Sequence, residues 1–422
     1  MTGTRSGPRA LVVGAGIGGL ATALSLHEVG ASVEVFDAVG ELRPLGVGIN
    51  LLPHAVRELD AMGLLEDLRA RSVAPSQLLY CTRRGQEIWR EPRGHAAGYP
   101  WPQLSLHRGV LQEILLQAVA DRLGHKSVHL GRRLMRVDEE RGSPVAVFAD
   151  GGVEADLVVG ADGIHSAARA QRYPDEGPLL WNGSLLWRGV AEIPRVLDGR
   201  TMVWAGHPEQ KFVGYPIADR PDGTQSFNFI AELRRPESGL ADVEDWNRAG
   251  SLEDFLPNFE DWDFGWLDVP SIVRAAPQTF VFPMVDRDPV DRWTFGRSTL
   301  LGDAAHPMYP IGSNGASQAI LDARVLAGCV RRHPRDLDEA LSRYESVRRP
   351  ATAAIVRANR GLGPEVPMLL VEQRAPGGFT DIAEVISPAE IARVTEEYRR
   401  TAGFSLAALQ HGVSLLEHPC PE

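Results

Sequence analysis

Three cysteines, Cys81, Cys329 and Cys420, stand far apart in 422 residues, with no C-x-x-C pair among them. That excludes a disulfide framework and a cysteine metal knuckle, and it points to a reducing compartment, the cytoplasm, with no metal site. Long apolar runs are missing too. None reaches the about 18 residues that would cross a bilayer, so no membrane span is expected. Positive charge is in deficit: 44 Lys and Arg stand against 55 Asp and Glu, a net charge of −11. Such a balance argues against nucleic acid or an anionic membrane surface as partner, because both need a basic face. No internal repeat and no low-complexity tract appears. Oligomeric state is not readable.

What is present is globular. Hydrophobic residues make up 44% and charged residues 23%, enough for a sizeable core in a chain of roughly two or three domains. After a polar arm, Met1–Pro8, the apolar run from Ala10 is broken by three glycines. It therefore reads as strand, turn and helix rather than as a signal segment. Ala10–Val13 is a buried strand, Leu20–Val29 a helix ended by Gly30, and Val33–Phe36 a second strand: a βαβ opening. His54–Leu59 begins another helix and Leu106–Leu123 a third. Leu157–Gly160 and Thr299–Gly302 read as further parallel strands of the same sheet. Between them the character changes. Leu185–Val190, Thr201–Trp204, Phe212–Ile217 and Gln225–Ala231 are alternating, aromatic-rich strands with turns such as Asp222-Gly223.

These patterns predict an α/β protein. A Rossmann-like nucleotide-binding domain (1–73, 101–178 and 284–360) carries an inserted antiparallel-sheet substrate domain (74–100 and 179–283). Helices follow at the C-terminus (361–422).

Gly14-Ala-Gly16-Ile-Gly-Gly19 matches G-x-G-x-x-G after a strand and before a helix, with Asp37 ending the next strand. Gly14 allows the tight turn, Gly16 the approach of backbone to a pyrophosphate, and Gly19 close helix–strand packing. The helix N-terminus offers free N–H groups to phosphates, and Asp37 would accept from ribose hydroxyls. The fingerprint alone does not separate FAD from NAD. No second one follows a strand, since Gly46-Val-Gly48-Ile-Asn lacks the third glycine.

Two later motifs separate them. Asp156-Leu-Val-Val-Gly-Ala-Asp162-Gly-Ile-His-Ser-Ala-Ala-Arg169 resembles the "DG" motif of the FAD-dependent aromatic hydroxylases. Leu300-Leu-Gly-Asp303-Ala-Ala-His306-Pro-Met-Tyr-Pro310-Ile-Gly312-Ser-Asn314-Gly315 resembles their "GD" motif. With Arg108 between them, the resemblance runs from about Leu11 to Arg349. Glu41–Asn50, Trp187–Val190, Asp245–Asp268 and Met284–Pro289 are similar to the 5-methylphenazine-1-carboxylate type within the family, and salicylate- and 3-hydroxybenzoate-type hydroxylases are similar as well. The segment after Gly361 matches nothing clearly.

The resemblance implies FAD, with NADH or NADPH as a transient reductant. It implies attack of a flavin C4a-hydroperoxide, formed with O2, on a small aromatic substrate, phenolic or a fused-ring carboxylic acid. Asp303 would hold ribityl hydroxyls or cap a helix. Gly312, Asn314 and Gly315 would aim a helix N-terminus at the flavin N1–O2 edge. Arg108 and Gln112, one turn apart, would reach the ribityl–pyrophosphate region, with a surface ion pair as the bland alternative for Arg108. Arg43 and Gly46–Gly48 would border the isoalloxazine. Asp162 and Arg169 serve either the cofactor or a structural ion pair. His306 reads as a positioning group rather than an acid–base catalyst, and His54 as a group that could face the substrate.

On the substrate side Trp187, Arg188, Trp204, Tyr215, Phe227 and Phe229 lie on strands, so alternation lets only some of them face the flavin. Tyr215, followed by Pro216, is the first candidate for a substrate contact. Arg188 pairs with a substrate carboxylate or with a structural Asp, and Pro310 borders the same loop. Two other classes stay open. A flavin halogenase would carry W-x-W-x-I-P, which is absent. A reductase on the same scaffold, or a flavin-binding protein without oxygenase activity, would share the motifs.

Overall fold

The computed structural model describes residues 7–42, 46–140, 142–236, 248–410 and 412–419. Arg43, Cys420 and residues 245–247 of the Asp245–Asp268 stretch lie outside them.

Six strands form a central sheet in the order Thr294–Phe295, Ser298–Leu300, Leu157–Gly160, Arg9–Val13, Ser32–Phe36 and Val128–His129. All neighbours are parallel except the first pair. Val12 stands in register with both Val35 and Val159, so its strand is paired on both edges, and its side chain is fully buried in the layer beside the sheet, which explains the unbroken apolar run. The helix Ile17–Glu28 packs against both Arg108–Leu123 and Gly315–Arg332. One boundary differs from the sequence reading. The helix expected from Leu106 begins at Arg108, and Leu104–His107 is a strand paired with Gly48–Leu51. Leu104 and Leu106 alternate into that pair, a period of two that the following helical pattern masked.

Seven strands form the second sheet, in the order Thr279–Asp286, Leu180–Pro194, Thr224–Arg234, Gln210–Asp219, Thr201–His207, Gln77–Cys81 and Glu87–Pro92. It is not wholly antiparallel as expected, since Thr201–His207 runs parallel to Gln77–Cys81. The chain leaves this sheet at Pro92 and returns at Leu180, and a long crossover is what parallel pairing needs.

The two faces of this sheet have different fates. Trp187, Phe212, Phe227 and Phe229 pack on one side with Phe255, Phe259 and Val273. Tyr80, Met202, Trp204 and Tyr215 point to the other, where they meet Met368, Val371 and Ile391 from the C-terminal segment. Leu186, Phe282 and Met284 on that same side meet Val47, Tyr309 and Ile311. Alternation thus removes Trp187, Phe227 and Phe229 from the face toward the nucleotide domain.

The helix Leu337–Arg360 runs through Pro350, and Val366–Arg374 and Pro388–Thr401 follow. Lys211, 3% exposed, fastens this end to the sheet through Glu232 at 2.8 Å and Glu365 at 2.6 Å. Burial opposes its charge, but the two carboxylates outweigh that and raise its pKa. No described helix is long and apolar enough to cross a membrane.

Candidate active site

Gly14 adopts a φ of +111°, and an added Cβ there would strike the Ala161 carbonyl oxygen. A Cβ on Gly19 would lie 1.8 Å from the Gly14 oxygen, so both glycines are required by contact. Gly16 differs, because a Cβ there meets nothing within 4 Å. Its surroundings are open, as a site for an incoming phosphate must be. The helix that follows has no side-chain cap and no acid in its first turn, leaving a positive end for an anion. The Asp37 carboxylate takes the Ala15 amide at 2.6 Å and the Val39 amide at 2.9 Å. A carboxylate has about four acceptor positions, so capacity for hydroxyl donors remains. Gln112 donates to the Ala15 carbonyl at 2.8 Å, which holds the same turn from the other side.

Asp303 lies beside the start of the helix Gly315–Arg332, its Oδ1 3.9 Å from where a Gly315 Cβ would sit. It is accessible through the cleft, yet desolvation raises its pKa, with His306 and Arg108 opposing. No described residue hydrogen-bonds to its carboxylate. It is not a helix cap, because Asn314 stands at the N-cap, and that residue makes no side-chain cap either. Burial lowers the pKa of Arg108, Asp303 opposes this, and Arg188 adds to it, which places the three groups around one space. An open glycine turn, an uncapped helix end and a carboxylate without a partner are the donor and acceptor set that a flavin dinucleotide would satisfy.

Other candidates are committed to the protein. Asp162 accepts from Ser166 Oγ at 2.5 Å and from the Ala167 amide at 2.7 Å, at the start of the short helix Ala167–Arg172. Arg169, 2% exposed, pairs with Glu176 and donates to the carbonyls of Ala304 at 3.1 Å, Ala305 at 2.8 Å and Asp288 at 2.9 Å. It clamps the two flavin motifs together. His306 Nε2 meets Asp322 at 2.6 Å, and Asp322 also takes the Gly302 amide at 3.1 Å and Arg348 Nε at 2.6 Å. Burial would raise the Asp322 pKa, but His306 and Arg348 hold it down to about 2. His54 is buried behind Leu52 and Phe404, hydrogen-bonded to Gln318 at 3.2 Å. Asn314 turns its side chain to Tyr398 at 2.8 Å, leaving backbone as its offering to a ligand. Pro310 is exposed on the same loop, where Gly312 has a φ of +70° and Ser313 of +58°.

No Asp among the described residues pairs with Arg188. Its Nη2 donates to the Gly48 carbonyl at 2.8 Å, and its Nε is buried without a partner among the described residues. The Gly48 amide in turn donates to Asn228 Oδ1 at 2.6 Å. Arg188 and Asn228 thus hold the Gly46–Gly48 loop against the sheet.

A small, partly open pocket of about 20 Å³ lies between the sheet, the Gly312–Ser313 turn and the C-terminal segment. Among the described residues its walls are Leu52, Leu78, Glu91, Arg93, Gln103 and Met202, with Trp204, Gly312, Ser313, Pro364, Thr395, Tyr398, Arg399 and Phe404. An adjoining pocket of about 10 Å³ shares Glu91, Arg93, Gln103 and Arg399. Trp204 lines the cavity, whereas Tyr215 and Arg188 do not. Sequence reasoning missed Glu91, Arg93, Gln103, Tyr398 and Arg399. Nothing in the sequence marks the last two, and the only signal for the first pair was two charges closing a short strand.

The FAD binding domain family matches residues 9–251 and 267–359. Phenazine 1,6-dicarboxylic acid hydroxylase of Lysobacter antibioticus is 47% identical over 83% of this chain and 88% of that one. The 3-amino-4-hydroxybenzoate 2-monooxygenase of Streptomyces cremeus is 35% identical over 85% and 87%. In fold, the chain is similar to Klebsiella pneumoniae HpxO complexed with FAD and uric acid: the TM-score is 0.74 at 24% identity, over 97% of this chain and 99% of that one. With a nucleotide turn and an Asp303 carboxylate that no described residue satisfies, the chain belongs to the FAD-dependent aromatic hydroxylases and is a flavoprotein monooxygenase.

Proposed function

We propose that the protein hydroxylates a small aromatic carboxylic acid, phenolic or fused-ring, using O2 and electrons from NADH or NADPH. The cavity beside Gly312 and Ser313 carries this reading. Its walls divide between apolar groups, Leu52, Leu78, Met202, Trp204 and Phe404, and polar ones, among them Glu91, Arg93, Gln103 and Arg399, a mixture that can orient a substrate with both a ring and a polar substituent. The 47% identity to a hydroxylase of phenazine 1,6-dicarboxylic acid favours the fused-ring acids.

FAD, when bound, supplies the redox chemistry: it takes two electrons from the nicotinamide and activates dioxygen. The chain's own residues bind, orient and exclude water. Gly14, Gly16, Gly19, Asp37 and Gln112 receive the dinucleotide end. Arg108, Asp303, Gly48, Gly312, Gly315 and the backbone of Asn314 receive the ribityl and ring end. Trp204, Leu78 and Met202 present an apolar wall, and Phe404 and Pro364 close the cavity from the C-terminal side. A dry wall matters because water at the reacting centre diverts reducing equivalents to hydrogen peroxide.

Labelling with heavy dioxygen tests the reading. Product carrying one labelled oxygen atom, with NAD(P)H and O2 consumed in equal amounts, is the expected result. Product oxygen drawn from water, or turnover undiminished without dioxygen, overturns it.

A further inference from the structure

We propose that Arg93 and Arg399, bridged by Glu91, form the recognition site for an anionic group, a carboxylate, on the aromatic substrate; the inference rests on the hydroxylase reading above. Arg93 Nη2 donates to Glu91 Oε2 at 2.7 Å, and Arg399 Nη2 donates to the other oxygen, Oε1. Glu91 is 3% exposed and also accepts from the Tyr80 hydroxyl at 3.0 Å. One buried carboxylate therefore sits between two guanidinium groups, and it neutralises only one of them. Arg399 has a second, longer contact at 3.4 Å to Glu396, but that residue is half exposed and screened by water. Both arginines line the main cavity and the adjoining space. The uncompensated positive charge thus faces the place where a ligand would lie.

Three further observations show groups there that the protein leaves unmet. The Arg93 side chain makes a single hydrogen bond to the described residues, and its Nε is buried without a partner among them. Trp204 Nε1 is a buried donor with no acceptor. Gln103, 2% exposed, gives its amide N–H to the Met202 sulfur at 3.1 Å, and its carbonyl oxygen has no partner. Buried polar groups are nearly always paired. Three such groups lining one cavity are complementary to a ligand that brings a carboxylate, a further acceptor and a donor. In a chain of net charge −11, a positive inner wall also selects against neutral aromatics.

The arrangement divides recognition between two parts of the chain. Arg93 follows the edge strand of the sheet, and Arg399 lies on the helix Pro388–Thr401. That helix lies beyond residue 359, where the family match ends. Salt bridges that merely fasten this helix would leave ligand choice untouched, so ligand discrimination is the deciding readout.

The test uses FAD-loaded enzyme without NAD(P)H and measures binding by perturbation of flavin absorbance. The probes are salicylate, 3-hydroxybenzoate and phenazine-1-carboxylate, each beside its carboxamide. Wild type is expected to bind at least one acid tenfold or more tightly than its amide. Arg93→Gln and Arg399→Gln should each weaken that acid at least tenfold and change the amide less than threefold. Arg399→Lys, which keeps the charge, should recover part of the preference; it also decides the matter if the glutamine variant does not hold FAD. An acid-to-amide ratio near one in wild type, or a ratio unchanged in variants that retain FAD, overturns the proposal alone. Wild-type enzyme that binds no acid and no amide overturns the hydroxylase reading with it.

Discussion

The side-chain amide of Asn314 donates to the hydroxyl of Tyr398 at 2.8 Å across 84 residues of chain. Tyr398 then donates to Asn359 Oδ1 at 2.8 Å, and Asn359 donates to the Tyr309 carbonyl at 2.9 Å. The Tyr398 ring occupies the space that a side chain at Gly312 would need, with its hydroxyl 2.1 Å from the absent Cβ. The loop that would face the flavin is therefore shaped from behind by a helix of the C-terminal segment.

Replacing Tyr398 by Phe keeps the ring and removes this link. Asn314 and Asn359, both buried, would each lose a partner, at a cost of about 1–3 kcal/mol per unsatisfied group. The expected outcome is a lower melting temperature and an FAD affinity reduced at least threefold, measured by thermal unfolding and flavin titration. Wild-type values for both would show that the loop holds its shape without the tyrosine.

Asp303→Ala removes the one carboxylate in the cleft that no described residue satisfies. FAD retention should fall by one to two powers of ten, since a hydrogen bond to a charged group contributes roughly 1.5–3 kcal/mol. The apoprotein should not be destabilised, because desolvation disfavours the charge in the native fold. Equilibrium dialysis against FAD checks the first point and urea unfolding of the apoprotein the second. Full FAD occupancy at wild-type affinity would remove Asp303 from the binding site.

The nucleotide-binding half was legible because its chemistry is local. Gly14, Gly16 and Gly19 stand within six residues of one another between a strand and a helix, with Gly19 packed on the Gly14 carbonyl, and the run Ala10–Val13 answers to burial on both faces. The aromatic sheet was legible as strands but not as faces. Trp187 and Arg188 are adjacent in sequence and point in opposite directions, and only the partner layers decide which side meets the cavity. The cavity itself was illegible. Glu91, Arg93 and Arg399 acquire meaning only when an edge strand and a helix some 300 residues later come together, and no local pattern encodes that pairing. The roles expected for Asp162 and Arg169 divided in the same way. Each makes its contacts within the protein, and Arg169 was ambiguous because its carbonyl partners lie in another motif.

Arg169 gives a separate prediction. Its guanidinium reaches Glu176 and three backbone carbonyls at once. Lysine is a point charge without the planar fork and cannot span them. Arg169→Lys should lose about 3 kcal/mol of stability and loosen the Asp303 turn, so FAD should dissociate faster. Urea unfolding and the rate at which flavin fluorescence rises on dilution of the FAD-loaded enzyme report the two effects. A destabilised variant with an unchanged release rate would restrict Arg169 to folding.

His54 makes the chain's stability depend on pH in a defined window. Arg348 donates to Gln318 Oε1 at 2.6 Å, which fixes the orientation of that amide. Gln318 Nε2 therefore donates to His54 Nε2 at 3.2 Å, and His54 must accept, which only the neutral ring can do. Burial first, and then the charges of Arg57 and Arg348, lower its pKa from 6.5 to about 3. The folded pKa lies below the unfolded value, so the unfolded chain binds the proton more readily between the two. Stability is fully present above about pH 6.5 and falls by up to about 1.4 kcal/mol per unit as the pH drops toward 3. His54→Gln keeps a neutral polar group and cannot titrate. Between pH values near 7 and near 4.5, its loss of unfolding free energy should be smaller than that of wild type by about 2–3 kcal/mol. Urea unfolding at the two pH values measures this difference. Equal losses in both proteins would mean that His54 takes up its proton in the folded state, which requires Gln318 to turn away from it.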